Sequence, residues 1–413
     1  MSVAHPPARR RQRSHRRAHR SLVHHLAFAP AVLLLVACAA GERDGRAEPL
    51  VRDSAGVTIV EHPAELTAPV EWTLTLDDAV RLEGEFDGVR HGVRMADGRV
   101  IVADGDSRSL RIHAADGAPL ASVGRAGGGP GEFRGISSLS RWPGDSLLAW
   151  DIQQRRLTLF DDQGNLGRTF ALATSTDVPF GNVQGVFADG SMLTTGFVAG
   201  GGPEPGRSRS QAPVHRFRRD GTLETTYPFM TGGEAFFDVF DGGFSVTAAL
   251  FARSATPHVG QALLVEADNE RFELRLRATS GELQRIVRRG GVTPAITPEL
   301  RAAVVEHTLA ALPNDETRER RRPALESMPV PERLPAFGRV HVDRLDHVWV
   351  EEYAPIPGER STWWVFASDG ALVARATMPQ RVTVLEVGPD YMLGGHRDAL
   401  DVEEVVVMRL RRG

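Results

Sequence analysis

Short runs of alternating apolar and polar residues, each ended by a turn dipeptide, recur along most of the chain. One stretch beginning at Gly92 reads VRMA-DG-RVIVAD, then LRIHAADG and APLASVG, and a second with the same layout begins at Ile136. Alternation with a period of two predicts β-strands, and Asp-Gly pairs between the strands predict tight hairpin turns. The pattern therefore predicts an all-β protein built from four-stranded units.

These units repeat at a fixed distance along the sequence. The Asp that ends the second strand moves from Asp104 to Asp151, and the Gly of the third turn moves from Gly117 to Gly164, both steps of 47 residues. Further units contain Val183, Ala262, Gly338 and Val382. A period of about 40–50 residues is typical of β-propeller blades.

The last unit has only three predicted strands, whereas a spare strand, Gly56-VTIVEH, stands near the start of the repeat region. A propeller removes its open sheet edges when the two chain ends share one blade. We therefore expect a six-bladed β-propeller over residues 56–413, with the N-terminal strand closing the last blade.

An insertion at about 293–336 interrupts the strand pattern and predicts a helix. Thr297 can cap its N-terminus, Pro298 suits its first turn, and Glu299 favours the positive end of its dipole. The apolar positions follow a helical spacing: Leu300, Val304, Leu309 and Leu312. We expect this helix to pack on the propeller rim; a lid or a partner-binding helix is the alternative.

The first 55 residues lack the strand pattern. An Arg- and His-rich segment precedes twelve apolar residues, Leu26–Ala37, which is too short to span a bilayer and matches a signal peptide. Leu35-Val36-Ala37-Cys38 resembles the lipobox of bacterial lipoproteins. The resemblance implies that residues 1–37 are removed, that Cys38 is lipidated, and that residues 38–55 form a flexible tether. An uncleaved helical anchor is the alternative.

Within that resemblance, the residue after the cysteine bears on location. Ala39 stands where Asp can favour retention in the inner membrane. We therefore expect a lipid-anchored protein of the cell envelope, on the outer membrane and facing the periplasm.

Two further segments carry a resemblance to a known family. Gly124-RAGGGPGEF and Asp53-SAGVTIV, together with the repeated strand–Asp-Gly–strand units, resemble a bacterial family of six-bladed propeller lipoproteins related to NHL-type and TolB-type propellers. The resemblance covers residues 53–412. That family is defined by its fold, so the resemblance implies no activity and no catalytic residues.

Composition narrows the classes of partner. Removing residues 1–37 takes away seven Arg and leaves 42 Arg against 53 Asp and Glu, a formal charge of −11. An acidic surface argues against a nucleic-acid partner, whose phosphates require a basic footprint. Cys38 is the only cysteine, which excludes an intramolecular disulfide and a cysteine-ligated zinc site.

The long insertions fall on one side of the predicted propeller. Turns between second and third strands and links between blades contain residues 124–135, 197–212, 229–260, 290–336 and 354–361, whereas the other turns are tight. Function concentrates on loops held by a rigid scaffold. We therefore expect any binding site on this side and at the channel mouth, where the candidates are Asp104, Asp151, Arg155, Arg360 and Arg397.

Other short motifs lack residues that the corresponding binding sites require. The glycines of 127–131 lack the Lys-Ser/Thr of a phosphate-binding loop, and the loop at Asp104 lacks the remaining ligands of a calcium site. The tightest His and acid cluster lies at 341–347, but strand alternation separates its side chains. We predict no metal site and no catalytic residues.

The sequence thus favours a membrane-tethered binding module for a protein, glycan or other ligand, without a cofactor. The alternative is a periplasmic enzyme, either a calcium-dependent lactonase-like hydrolase or a sugar dehydrogenase that uses pyrroloquinoline quinone. Both chemistries occur on six-bladed propellers, but a fold alone does not determine function.

Overall fold

The computed structural model describes residues 48–412 except positions 87, 106–107, 176–177, 179–180, 197–205, 210, 241–242 and 399. The predicted signal peptide and Cys38 lie outside the described residues. All described elements belong to one compact unit, Ala47–Gly413. No helix in this part of the chain has the length and apolar character needed to cross a membrane.

The N-terminal third of the described chain is all strand. Four short strands come first: β1 (Leu50–Ser54), β2 (Val57–His62), β3 (Glu71–Thr73) and β4 (Val80–Arg81). The first repeat is the sheet β5 (His91–Arg94), β6 (Val100–Asp104), β7 (Ser109–His113) and β8 (Pro119–Val123). A ribbon of β9 (Arg125–Ala126) and β10 (Glu132–Phe133) leads to the second sheet, β11 (Ile136–Trp142), β12 (Ser146–Asp151), β13 (Arg156–Phe160) and β14 (Leu166–Phe170).

The third and fourth repeats are longer and are followed by two helices. Their strands are β15 (Gly181–Val186), β16 (Met192–Gly196), β17 (Gly206–Arg209), β18 (Ala212–Phe217), β19 (Leu223–Phe240), β20 (Gly243–Ala248), β21 (Ser254–Val259), β22 (Leu263–Asp268), β23 (Glu273–Ala278) and β24 (Leu283–Arg289). The helices are α1 (Pro298–Ala310) and α2 (Asp315–Ser327).

Two further sheets complete the chain. The first contains β25 (Val340–Val342), β26 (Val348–Glu351), β27 (Arg360–Phe366) and β28 (Leu372–Pro379), and the last contains β29 (Val382–Val387), β30 (Tyr391–Arg397) and β31 (Glu403–Arg409). Apolar side chains from both faces of these strands fill the spaces between neighbouring sheets. Between the two final sheets, for example, Trp349, Trp363, Met392 and Met408 form one buried cluster.

The architecture is an all-β propeller, but the predicted count of six blades is wrong because the strands form five. The 18-residue β19 pairs with β18 in the third repeat, and its residues Gly232 and Gly233 pair with β21 in the fourth. The two repeats therefore share one 12-stranded sheet. The sequence pattern misses this join because residues 229–260 look like a loop insertion, whereas much of that segment is strand.

The predicted closure of the last blade by the strand at residue 56 is also wrong. β2 instead pairs in parallel with β24, with Val60 opposite Val287, and β1 pairs antiparallel with β2 at the edge of the same sheet. β3 extends β28, and the last sheet is completed by β4, with Val80 opposite Val407. Alternation identifies a strand from its own residues, but it carries no information about which distant strand will pair with it.

The predicted helix in the insertion is confirmed. The Thr297 hydroxyl accepts a hydrogen bond from the Leu300 amide at 3.2 Å, and α1 buries Val304 and Leu309 against residues 249–252. The helix therefore packs on the rim, as expected. The second helix, α2, was missed because it is rich in Arg, contains Pro323 and buries only Leu325 among its residues.

Candidate functional site

A central channel is surrounded by the first strand of every repeat. Six strands form its wall, β5, β11, β15, β21, β25 and β29, of which β15 and β21 both belong to the 12-stranded sheet. The enclosed cavity has a volume of about 510 Å³. Its lining contains three arginines and three acids: Arg90, Arg141, Arg344, Asp145, Asp343 and Glu386.

Two faces of the propeller follow from the antiparallel pairing within each repeat. The tight-turn face carries the turns between first and second strands and between third and fourth strands. The long-loop face carries the turns between second and third strands and the links between repeats, including both helices. The channel lining extends from Arg90, at the long-loop end of β5, to Arg344 in the β25–β26 turn on the tight-turn face.

Glu386 on β29 is held by three neighbours. Its carboxylate accepts hydrogen bonds from the Arg94 amide at 2.9 Å, the Tyr391 hydroxyl at 2.5 Å and the Arg141 guanidinium at 3.2 Å. Arg141 also pairs with Asp145 at 2.8 Å and donates to the Arg94 carbonyl. These contacts join the last, first and second sheets, so the charges involved already have partners.

Asp343, in the turn after β25, is fully buried, and its carboxylate is also engaged in hydrogen bonds. Its carboxylate accepts hydrogen bonds from the His347 amide at 2.9 Å, the Trp349 indole at 3.0 Å and the Arg412 guanidinium at 2.6 Å. Burial alone would raise the pKa of this carboxyl. The bonds from His347 and Trp349 and the charge of Arg412 outweigh that effect and hold the pKa at about 2.

Three histidines on the inner strands are neutral at pH 7. Burial lowers the pKa of His91 and of His341 to about 4, and that of His258 to about 3. His91 and His341 line the channel. The charge of Arg90 further lowers the pKa of His91. The imidazoles therefore offer the channel uncharged hydrogen-bonding groups.

Arg90 differs from the channel residues that form ion pairs, which are Arg141, Asp145, Asp343 and Glu386. Its side chain is exposed at the start of β5, and among the described residues it has no hydrogen-bond or salt-bridge partner. Polar groups without charge share the lining: Ser138, Ser140, Gln184 and Gln261. Among the described residues, Arg344 at the other end of the channel also has no salt bridge. The channel therefore combines positive charge that no carboxylate neutralises with neutral donors and acceptors.

The two acids predicted from the sequence, Asp104 and Asp151, are bonded to neighbouring groups of the fold. Asp151, buried at the end of β12, accepts hydrogen bonds from the Arg134 amide at 2.6 Å and from the Gln154 side chain at 2.7 Å. Asp104 ends β6 in the equivalent position and pairs with Arg111 at 2.8 Å. Asp151 therefore holds the link before β11 in place, whereas Asp104 is paired with a residue of the neighbouring strand β7.

The three predicted arginines also lie on the long-loop face. Arg360 donates to the Leu74 carbonyl at 2.8 Å, and Arg397 contacts Glu403 at 3.5 Å. Arg155 has a positive φ of 51° in the turn after β12. All five predicted residues are spread over four repeats, and none of them lines the channel cavity.

The described residues provide no geometry for binding a metal ion or, in the glycine-rich loop, a phosphate group. Across residues 48–412, apart from the undescribed positions, no group of three or more His, Cys, Asp or Glu side chains is arranged to hold a metal ion. In the glycine-rich loop, the Gly129 amide donates to the Glu132 carboxylate at 2.8 Å. The Glu132 carboxylate therefore takes the hydrogen bond that this amide could otherwise donate to a phosphate.

Arg90 and Glu386 were missed at the level of sequence. The signal available was the repeat itself, because the first strand of each repeat is the one that borders the propeller axis. Arg90 stands immediately before the first strand of the first repeat, and Glu386 lies on that of the last. The turn residues at the ends of second strands gave a clearer sequence signal, and they pointed to Asp104 and Asp151 instead.

Comparisons with known proteins support only the fold. No family model matches the chain, so the resemblance to a six-bladed lipoprotein family is not confirmed. No curated protein matches it either.

Several solved structures are similar to this chain. A protein from Bacteroides fragilis NCTC 9343 described as exported is 10% identical with a TM-score of 0.46, covering 83% of this chain and 99% of that one. A DUF4221 member from Bacteroides vulgatus ATCC 8482 is 10% identical with a TM-score of 0.45, covering 82% and 97%. The PQQ-bound aldose sugar dehydrogenase of Streptomyces coelicolor is 11% identical with a TM-score of 0.43, covering 84% and 100%. At such identities the likeness concerns the fold alone.

Proposed function

We propose that this chain is an extracytoplasmic, lipid-anchored propeller that binds a small anionic ligand in its central channel, without a cofactor. The observation that carries the proposal is Arg90, a channel-lining guanidinium with no partner among the described residues. A guanidinium is the side chain best suited to bind carboxylate or phosphate groups, through paired hydrogen bonds.

The size and polarity of the channel fit such a ligand. A volume of about 510 Å³ lies in the range of small-molecule sites. Neutral His91 and His341, with the serine and glutamine side chains of the wall, supply hydrogen bonds without adding charge. The ligand is therefore a polar molecule with an acidic group that meets Arg90.

Binding is favoured over catalysis because the carboxylates of the channel are already engaged. A general acid or base needs a carboxylate or imidazole that is free to exchange a proton near neutral pH. Glu386 and Asp343 each accept at least three hydrogen bonds, and the pKa of Asp343 is about 2. Such groups hold sheets together, and the low pKa keeps the Asp343 carboxyl ionised at pH 7.

The test uses thermal unfolding of the mature protein with inorganic phosphate, citrate and glucuronate as probes. We expect at least one of these anions to raise Tm, and Arg90→Gln to weaken its binding at least tenfold, the loss typical of one charged hydrogen bond. Arg409→Gln, at an exposed arginine at the end of β31 and outside the channel lining, is the matched control and should leave binding unchanged. Equal responses of both variants would refute the role of Arg90.

The enzyme alternative has a separate signature in the same assay. Stabilisation by calcium or pyrroloquinoline quinone, with no response to any of the three anions, would refute the anion-binding proposal and favour the hydrolase or dehydrogenase. The anchor is tested by cell fractionation, in which Cys38→Ala should move the exported protein from the membrane pellet to the soluble fraction. A variant that stays in the pellet would refute lipidation at Cys38.

A further inference from the structure

Exposed apolar side chains concentrate on the long-loop face. Among the described residues, the large apolar side chains exposed on its loops, insertions and strand ends are Leu50, Val246, Val292, Ile356, Leu400 and Val402. Leu400 is 85% exposed and Val292 is 75% exposed. On the tight-turn side, Leu345 lies in a turn and is 48% exposed, and Leu120 and Leu166, near the starts of β8 and β14, are 56% and 44% exposed. The long-loop side thus has twice as many such residues and the two most exposed ones. Apolar residues gathered on one side of a soluble fold indicate an interaction surface.

The described chain begins at this same face. β1 is antiparallel to β2, and Leu50 lies opposite Glu61; β2 is parallel to β24, and His62 lies opposite Arg289 at the long-loop end. Residue 48, where the described chain starts, is therefore on the long-loop side. Only nine residues lie between it and Cys38, and the ten Cα–Cα steps between the two positions span about 35 Å at most when fully extended.

We infer that the long-loop face is the surface that rests against the lipid bilayer, with the tight-turn face pointing into the aqueous space. This inference relies on the lipid anchor in the proposed function. A short tether keeps the face on which it starts close to the membrane, and the apolar side chains on that face gain by entering the interface. Leu400 and Val402, which lie in the turn between β30 and β31, are the most direct contacts.

The chain offers a clean way to test this orientation. Cys38 is the only cysteine, and when lipidated it has no free thiol, so one introduced cysteine gives one labelled position. We would prepare Leu400→Cys and the matched control Leu345→Cys in the full exported chain. Each is labelled with a fluorophore and reconstituted in phosphatidylethanolamine–phosphatidylglycerol vesicles that contain headgroup-nitroxide lipids.

We expect the nitroxide to quench the label at position 400 at least twofold more than the label at position 345. Equal quenching, or stronger quenching at 345, in protein that sediments with the vesicles would overturn the orientation while leaving the anchor intact. Failure of the unlabelled parent chain to sediment would instead refute the anchor, and the orientation with it. A fold defect is separated from these outcomes because both variants replace exposed side chains and must retain the parent Tm.

Discussion

The buried carboxylate of Asp343 offers the sharpest test of how the ring of sheets is held together. Its side chain has no solvent exposure, and the Arg412 guanidinium, 16% exposed, lies 2.6 Å away. Asp343→Asn keeps the shape of the side chain but removes the charge and leaves Arg412 without its ionic partner. Breaking one side of a buried pair in this way typically costs about 3–5 kcal/mol.

The lowered pKa gives an independent magnitude. The pKa of the Asp343 carboxyl falls from 3.8 to about 2, and each tenfold change in proton affinity corresponds to about 1.4 kcal/mol, so the ionised form contributes about 2.5 kcal/mol. Because the folded pKa lies below the unfolded value, this stability is fully present above pH 4. It is lost as the pH falls towards 2.

We therefore expect Asp343→Asn to lower the free energy of unfolding by about 3 kcal/mol at pH 7, measured by urea denaturation. The difference from the parent chain should shrink as the pH falls below 4. Asp401→Asn is the control, because its pair with Arg381 at 2.7 Å is exposed and should contribute less than about 1 kcal/mol. Similar losses in both variants, or a difference that persists unchanged at pH 2, would refute the reasoning.

Three further predictions concern other parts of the fold. Gly117→Ala should destabilise the protein far more than Gly144→Ala, because a Cβ at Gly117 meets the Arg81 carbonyl of β4 whereas Gly144 faces open space; equal Tm values would contradict closure by β4. Glu234→Gln should cost about 3 kcal/mol, since burial would raise the pKa of Glu234 but Arg253 and Arg207 hold it at about 2; faster hydrogen exchange in β17 should accompany the loss, and unchanged exchange would contradict it. The pKa of His91, lowered to about 4 by burial, makes stability fall as the pH drops from 6.5 to 4, so His91→Gln should lose less stability over that interval, and an unaltered pH profile would contradict this.

Local patterns in the sequence located many of the elements but not their pairing partners, and they missed α2 and the strands within 229–260. Alternation and Asp-Gly turns located the four strands of the first two repeats, and Thr297 located the start of α1. The pairing of β19 with two repeats and of β2 with β24 depends on contacts far apart in sequence. Those contacts are decided by packing against distant residues, which no local period encodes.

The candidate site shows the same division. Asp104 and Asp151 were selected because they end second strands at equal spacing. In the structure both carboxylates have partners within the fold, namely the Arg111 guanidinium for Asp104 and the Arg134 amide for Asp151. Repetition of a residue from repeat to repeat therefore reports the scaffold. Arg90 carries the proposed function and belongs to no repeated pattern, so it becomes visible only when the inner strands are brought around one channel.

The two proposals together determine how a ligand would reach Arg90. If the long-loop face rests on the bilayer, the channel is entered from the tight-turn face, past Asp145 and Arg344. The turns that border the mouth there, such as those between β11 and β12 and between β25 and β26, are short hairpins, so among the described residues these turns are too short to fold over it. Exchange should then proceed without a closing step, and affinity would depend on Arg90 and the polar channel wall. Proteins that trap ligands beneath a moving loop work differently, because loop closure itself contributes to how long the ligand stays bound.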